Sequence, residues 1–246
     1  SVLSHLLAQI ASLLGEVHIT RVVHRVVHGA HLPQCVSITR SDQHHLGTLQ
    51  YLAEFAPLHN AVSAALIRLC LCSKELDEGH ENICCFDTAF HRTLGDVRGR
   101  YMIALAGEAL PGGMQLRRWG FHGLSYASVL RTLARALRRD ERSLNVILCH
   151  LGSGSSMCSI VNGKSFDTSM GLTPLEGLPG STRSGSVDPV LALHLSAAQG
   201  PRESSPSGTV QVAQGIEVSR AELVLNKQSG FKGVAGTGDF REIVAR

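Results

Sequence analysis

Cations and glycines alternate through residues 149–185 in an order that suits a phosphate group. His150 precedes Gly152-Ser153-Gly154, where missing Cβ atoms allow positive φ and let backbone N–H groups come close to an anion. Arg183 follows in Gly180-Ser181-Thr182-Arg183-Ser184-Gly185. Three more polar residues hold comparable positions: Arg25 toward the end of one apolar run, Asp87 just past another, and His122 between two glycines. Phosphoryl transfer requires such groups at strand ends and glycine turns, with cations and N–H donors around the transferring group and an acid near a metal. No single histidine or arginine is diagnostic. His24, His28, His59 and His91 are each more readily explained as surface or satisfied interior residues.

The elements that must hold these groups follow from periodicity. An apolar strand over 145–151 runs into the glycine turn, and a second strand over 156–161 meets Asn162-Gly163, the strongest short hairpin signal, before returning over 164–167. Residues 17–28 are rich in Val and Ile and stop at Gly29, which predicts a buried strand bringing His24, Arg25 and His28 to its C-terminal edge. A further strand over 83–86 ends at Asp87. Leucines at helical spacing predict a helix from Ser1 to Gly15, and similar patterns predict helices over 42–55, 61–73, 125–138 and 219–228. Residues 200–215, rich in Ser, Pro, Gly and Gln, read as a solvated loop. The chain is thus α/β in each half, with no internal repeat.

Composition removes several alternatives. A 43% hydrophobic chain of 246 residues can build real cores, as one large domain or two modest lobes. The net charge of +3 leaves no nucleic-acid footprint, and Arg131, Arg135, Arg138 and Arg139 read as a solvated helix face. Seven unevenly spaced cysteines, an odd number, point to a reducing compartment, the cytoplasm. No C-x-x-C pair or H-E-x-x-H supports zinc, no apolar run reaches a membrane span, and no secretory signal opens the chain. The Walker loop, the dinucleotide G-x-G-x-x-G and the hydrolase G-x-S-x-G are all lacking.

Longer motifs narrow the reading further. VVHRVVHGA, APLHN, CFDTAFHRTL, RRWGFHGLSY, CHLGSGSS, NGKSFDTSMGLTPLEGLPGSTRSGSVDP and SGFKGVAGTGDFRE cover roughly half the chain. In type and order they resemble the serial motifs of the acetate kinase family, a branch of the actin-like, sugar-kinase and Hsp70 superfamily. The resemblance implies a two-lobe actin-like (ribonuclease H-like) α/β fold. It also implies transfer of the γ-phosphoryl of ATP to acetate, reversibly giving acetyl phosphate and ADP, with Mg2+ or Mn2+. Asp87, His122 and Arg183 match the family's catalytic residues. Arg25 matches its substrate arginine, and Val27, Leu58, Phe121 and Pro174 match the pocket for the acetate methyl. His150, Leu151, Gly152, Ser153 and Gly154 match the phosphate turn, while Asp239, Phe240 and Arg241 match the segment at the adenosine end.

There are departures. Leu124 and Tyr126 stand where Thr and His are commoner, and Ser153 where Asn is commoner. The family's opening N-A-G-S-S-S loop and its late G-G-I-G-E segment with a metal-binding acid do not occur, so no metal ligand is assigned by residue. The resemblance therefore implies truncation at both ends, with 1–90 a partial N-terminal lobe and 91–246 a C-terminal lobe. Homodimers are expected in the family. Two alternatives stay open: a catalytically silent remnant that binds nucleotide or self-associates, and a propionate or butyrate kinase.

Overall fold

The computed structural model describes residues 2–15, 18–103, 114–197, 209–213 and 216–245. The chain forms two compact units, Ser1–Ala89 and Phe90–Arg246.

The first unit opens with helix α1 (Val2–Leu14) and continues through β1 (Arg21–Val26), β2 (Cys35–Ile38), α2 (His44–Tyr51), α3 (Pro57–Cys72) and β3 (Glu81–Phe86). Ser1, where the helix is predicted to begin, lies outside the described residues. The sheet order is β1-β3-β2, with β1 parallel and β2 antiparallel to β3. Burial alternates along β3, so Asn82, Cys84 and Phe86 face one way with Val26, Val36 and Ile38. That face meets Leu46 and Leu49 of α2 and Ala64, Ile67 and Leu71 of α3 to form the core. Pro57 opens α3, where its missing N–H costs nothing. The strand predicted over 17–28 is shorter than expected. It ends at Val26, and His28 lies in the loop beyond.

The second unit continues with a single turn, α4 (Asp96–Gly99), then α5 (Gly123–Leu137) and the meander β4 (Val146–Leu151), β5 (Ser155–Val161) and β6 (Lys164–Thr168). Asn162 and Gly163 take φ of 50° and 72°, the doubly left-handed turn that an Asn-Gly hairpin signals. Tyr126, Leu130 and Ala134 of α5 pack on Cys158 and Ile160 of β5. After this come α6 (Pro189–Ala197), the hairpin β7 (Thr209–Ala213) and β8 (Ile216–Ser219), α7 (Arg220–Lys227), α8 (Gly230–Ala235) and α9 (Phe240–Val244). The loop expected over 200–215 is corrected in part, because 209–213 pair with β8 as a strand. Residues 200–208 and 214–215 lie outside the described residues.

Candidate active site

In the first unit, parallel pairing brings the C-terminal ends of β1 and β3 side by side. Arg25, on β1, therefore faces Asp87, the residue after β3. Its Nε donates to Oδ1 at 3.1 Å and its Nη2 to Oδ2 at 2.5 Å, a bidentate fork. Asp87 is 1% exposed, whereas the Arg25 side chain is 57% exposed. Hydrogen bonding to Asp87 raises the guanidinium pKa above its already high ordinary value. The Asp87 backbone N–H donates to the Val26 carbonyl at 3.1 Å, fixing the acid to the adjacent strand.

The loop after β1 is fastened by Asn60, which the pattern suggests as a helix cap and which instead lies within α3. Asn60, fully buried in α3, accepts from the His28 N–H at 2.9 Å and donates to the His28 carbonyl at 2.8 Å. Gly29 must be glycine, since a Cβ there would lie 2.3 Å from the Phe86 ring. Val27 is buried in this loop and Leu58 is half-buried in the first turn of α3. His24 bonds Asn82 through Nε2 at 2.9 Å, and burial lowers its pKa. It is a satisfied interior histidine.

In the second unit, three of the singled-out residues meet. A Cβ on Gly154 would stand 2.1 Å from Arg183 Nη2 and 3.4 Å from His122 Cε1, so only glycine leaves room for the guanidinium. Gly152 and Gly154 do not take positive φ, contrary to expectation. The missing Cβ of Gly154 serves close approach, and the Gly152 N–H donates to the Gly154 carbonyl at 3.1 Å to tighten the turn. Arg183 Nη1 donates to the Pro174 carbonyl at 3.0 Å. The Ser181 N–H donates to Ser153 O at 2.9 Å, and Ser229 N–H donates to Thr182 O at 3.1 Å. The arginine loop is thereby pinned to the glycine turn on one side and to the start of α8 on the other.

His122 has φ 59° and precedes α5, a left-handed conformation uncommon outside glycine. Its Nδ1 lies 2.8 Å from Ser156 Oγ, and the Tyr126 hydroxyl lies 2.5 Å from the same oxygen. Burial pushes the Tyr126 phenol up to about 12, so it remains a donor. In the arrangement where Tyr126 donates to Ser156 and Ser156 to Nδ1, the His122 hydrogen sits on Nε2. His150 stacks on His122 with ring centroids 3.9 Å apart, and its Nδ1 is 2.9 Å from Ser125 Oγ. His91 is buried too. Its Nε2 donates to the carbonyl of fully buried Phe121 at 2.9 Å, and its Nδ1 lies 2.7 Å from Ser165 Oγ. Ser156 stands directly opposite His150 across β4 and β5.

Beside the turn, a cavity of about 440 Å³ is lined by Leu151, Gly152, Leu178, Pro179, Phe231 and Phe240, with Ser155, Ser181 and Gly238 at its edges. The Phe231 and Phe240 rings meet edge-on at 5.7 Å. Asp239 caps α9 by accepting from the Arg241 N–H at 2.9 Å, and its carboxylate also pairs with the Arg241 guanidinium. Pro174 and Phe121 belong to this second unit, Val27 and Leu58 to the first. Among the described residues no three His, Cys, Asp or Glu side chains converge as a metal cage, and no helix is long and apolar enough to cross a membrane.

Comparison with known proteins agrees with the motifs. The sequence profile of the acetokinase family matches residues 1–246. A probable acetate kinase of Chaetomium globosum is 44% identical over 224 residues, covering 91% of this chain and 46% of the relative. A probable acetate kinase of Cryptococcus neoformans var. neoformans is 42% identical, covering 91% of this chain and 49% of the relative. The chain thus spans about half the length of the curated relatives it matches. Among solved structures, a propionate kinase from Francisella tularensis superposes with a TM-score of 0.76 at 33% identity, over 99% of this chain and 56% of that one. Acetate kinase from Entamoeba histolytica gives 0.73 at 34%, over 98% and 55%. These neighbours have the actin-like α/β fold expected from the motifs. The chain belongs to the acetokinase family.

Proposed function

We propose that this chain carries the working residues of an ATP-dependent acetate kinase, which moves the γ-phosphoryl of ATP to a carboxylate oxygen and, in reverse, from acetyl phosphate to ADP. The observation that supports it most is the meeting of Arg183, Gly154 and His122 at the glycine turn. The acceptor carboxylate is already ionised at neutral pH, so no strong general base is needed and charge stabilisation carries the catalysis. Arg183 would set its planar fork on the oxygens of the transferring group. His122, oriented through Ser156 and Tyr126, would donate from Nε2 to the same developing charge. The backbone of 152–154 would hold phosphate, and the cavity bounded by Phe231 and Phe240 would take the nucleoside end. Arg25 would bind the substrate carboxylate, and the family resemblance assigns the methyl to Val27 and Leu58 in the first unit and to Phe121 and Pro174 in the second.

A divalent ion suits this donor set only in part-protein form: one buried acid, Asp87, with phosphate oxygens and water completing the shell, as magnesium commonly accepts. Bound there, magnesium or manganese would neutralise phosphate charge. A homodimer in the cytoplasm is part of the same reading. The propionate kinase neighbour favours testing longer acids as well. Trapping the acyl phosphate as its hydroxamate, with MgATP and acetate, propionate or butyrate in turn, is the test. Hydroxamate from acetate in excess of the longer acids supports the proposal. Nucleotide binding without hydroxamate from any acid identifies a silent remnant and overturns it.

A further inference from the structure

Two of the seven cysteines face each other outside the residues discussed so far. In the antiparallel pairing of β2 with β3, Cys35 stands directly opposite Cys85, and their sulfurs are 3.2 Å apart. Directly opposed residues on such strands have Cα atoms about 4.5–5.5 Å apart, inside the window of about 4.4–6.8 Å that a disulfide accepts. Cys35 is exposed on the edge strand and Cys85 is partly buried. Cys84, next to it in sequence, faces the core, where burial pushes its thiol up to about 12. Strand alternation thus separates the two neighbours: one belongs to packing, the other to the open face of the sheet.

We propose that Cys35 and Cys85 form a reversible dithiol–disulfide pair, a redox modification site whose oxidant is a low-molecular-weight disulfide. Cys35, the accessible member, loses its proton and attacks one sulfur of the oxidant. That S–S bond breaks, one thiolate leaves, and a mixed disulfide forms on Cys35. Cys85 then loses its proton and attacks the Cys35 sulfur, expelling the second thiolate. Two electrons pass from the cysteine pair to the oxidant, which ends as two thiols. Cys85 is partly buried against the Cys35 sulfur, out of reach of a bulky oxidant, so it suits the second, proximity-driven step and not the first. The bridge would tie β2 to β3 two residues before Asp87, and in a reducing compartment it would be transient.

The full chain, reduced and then incubated with oxidised glutathione under native conditions, is alkylated and digested with trypsin without reduction. Cys35 lies in peptide 26–40, and Cys84 and Cys85 both lie in peptide 75–92. The expected product is these two peptides joined, two hydrogens lighter than their sum, and separated by dithiothreitol. Cys84→Ser should retain the link. Cys85→Ser should lose it and leave glutathione on Cys35, while Cys35→Ser should lose it altogether. Alkylation of both Cys35 and Cys85 after incubation would overturn the proposal, as would a link that survives Cys85→Ser.

Discussion

Replacing Arg25 by Met should loosen the β1–β3 pairing more than neutralising its partner does. Asp87 is 1% exposed and takes both hydrogen bonds from a guanidinium whose side chain is 57% exposed. Removing one member of a fully buried pair typically costs about 3–5 kcal/mol because the other charge is stranded. Solvent screening of the Arg25 end reduces this to about 2 kcal/mol. Asp87→Asn strands nothing comparable, since Arg25 can turn to water, and should cost about 1 kcal/mol or less. Hydrogen exchange read by mass spectrometry on peptides of β1 and β3, including the Asp87 amide bonded to Val26, measures the opening free energy directly. Arg25→Met should exchange about 30-fold faster than the parent at these amides. The double variant should be less perturbed than Arg25→Met alone. Exchange in Arg25→Met within about threefold of the parent, or a larger effect from Asp87→Asn, would refute the reasoning.

Other outcomes follow from the same geometry. Gly154→Ala places a methyl 2.1 Å from Arg183 Nη2, and because a flexible side chain can yield, thermal stability should barely change. Displacing that guanidinium by about 1 Å should lower kcat by about 10²-fold in the hydroxamate assay; unchanged kcat would count against Arg183. Tyr126→Phe removes the donor to Ser156 and should lower kcat by about fivefold, the worth of one neutral hydrogen bond, with KM for nucleotide unchanged. His24 is held below its ordinary value of 6.5 by burial, so the unfolded chain protonates first. Stability in urea should therefore fall as pH drops below 6.5, levelling once the folded histidine also protonates. His24→Gln should remove that slope.

Elements with local signals were legible in the sequence. Asn162-Gly163 made its hairpin, and the strand-end positions of Arg25 and Asp87 became a contact because β1 and β3 run parallel. Short or evenly apolar elements were not. β2 has only four residues, too few for alternation to register, and α6 is apolar all round, so no face stands out. Gly152 and Gly154 form their turn without positive φ, and the sequence does not reveal which side chain approaches the missing Cβ of Gly154. Long-range partners were the least legible: Ser156 is 34 residues from His122, and Asn60 is 32 from His28. Tyr126, a departure from the family motif, shares in the fold the oxygen that contacts His122.

The central claim is that Arg183 and His122 stabilise a phosphoryl group in transit between nucleotide and carboxylate. Incubating the chain with acetyl phosphate and MgADP and following ATP by luminescence tests it most directly. The parent chain should form ATP, and Arg183→Ala should lose about 10²–10³-fold in rate, the scale of removing one preorganised donor. ADP bound by the parent chain with no ATP formed, or an Arg183→Ala rate near that of the parent, would contradict it.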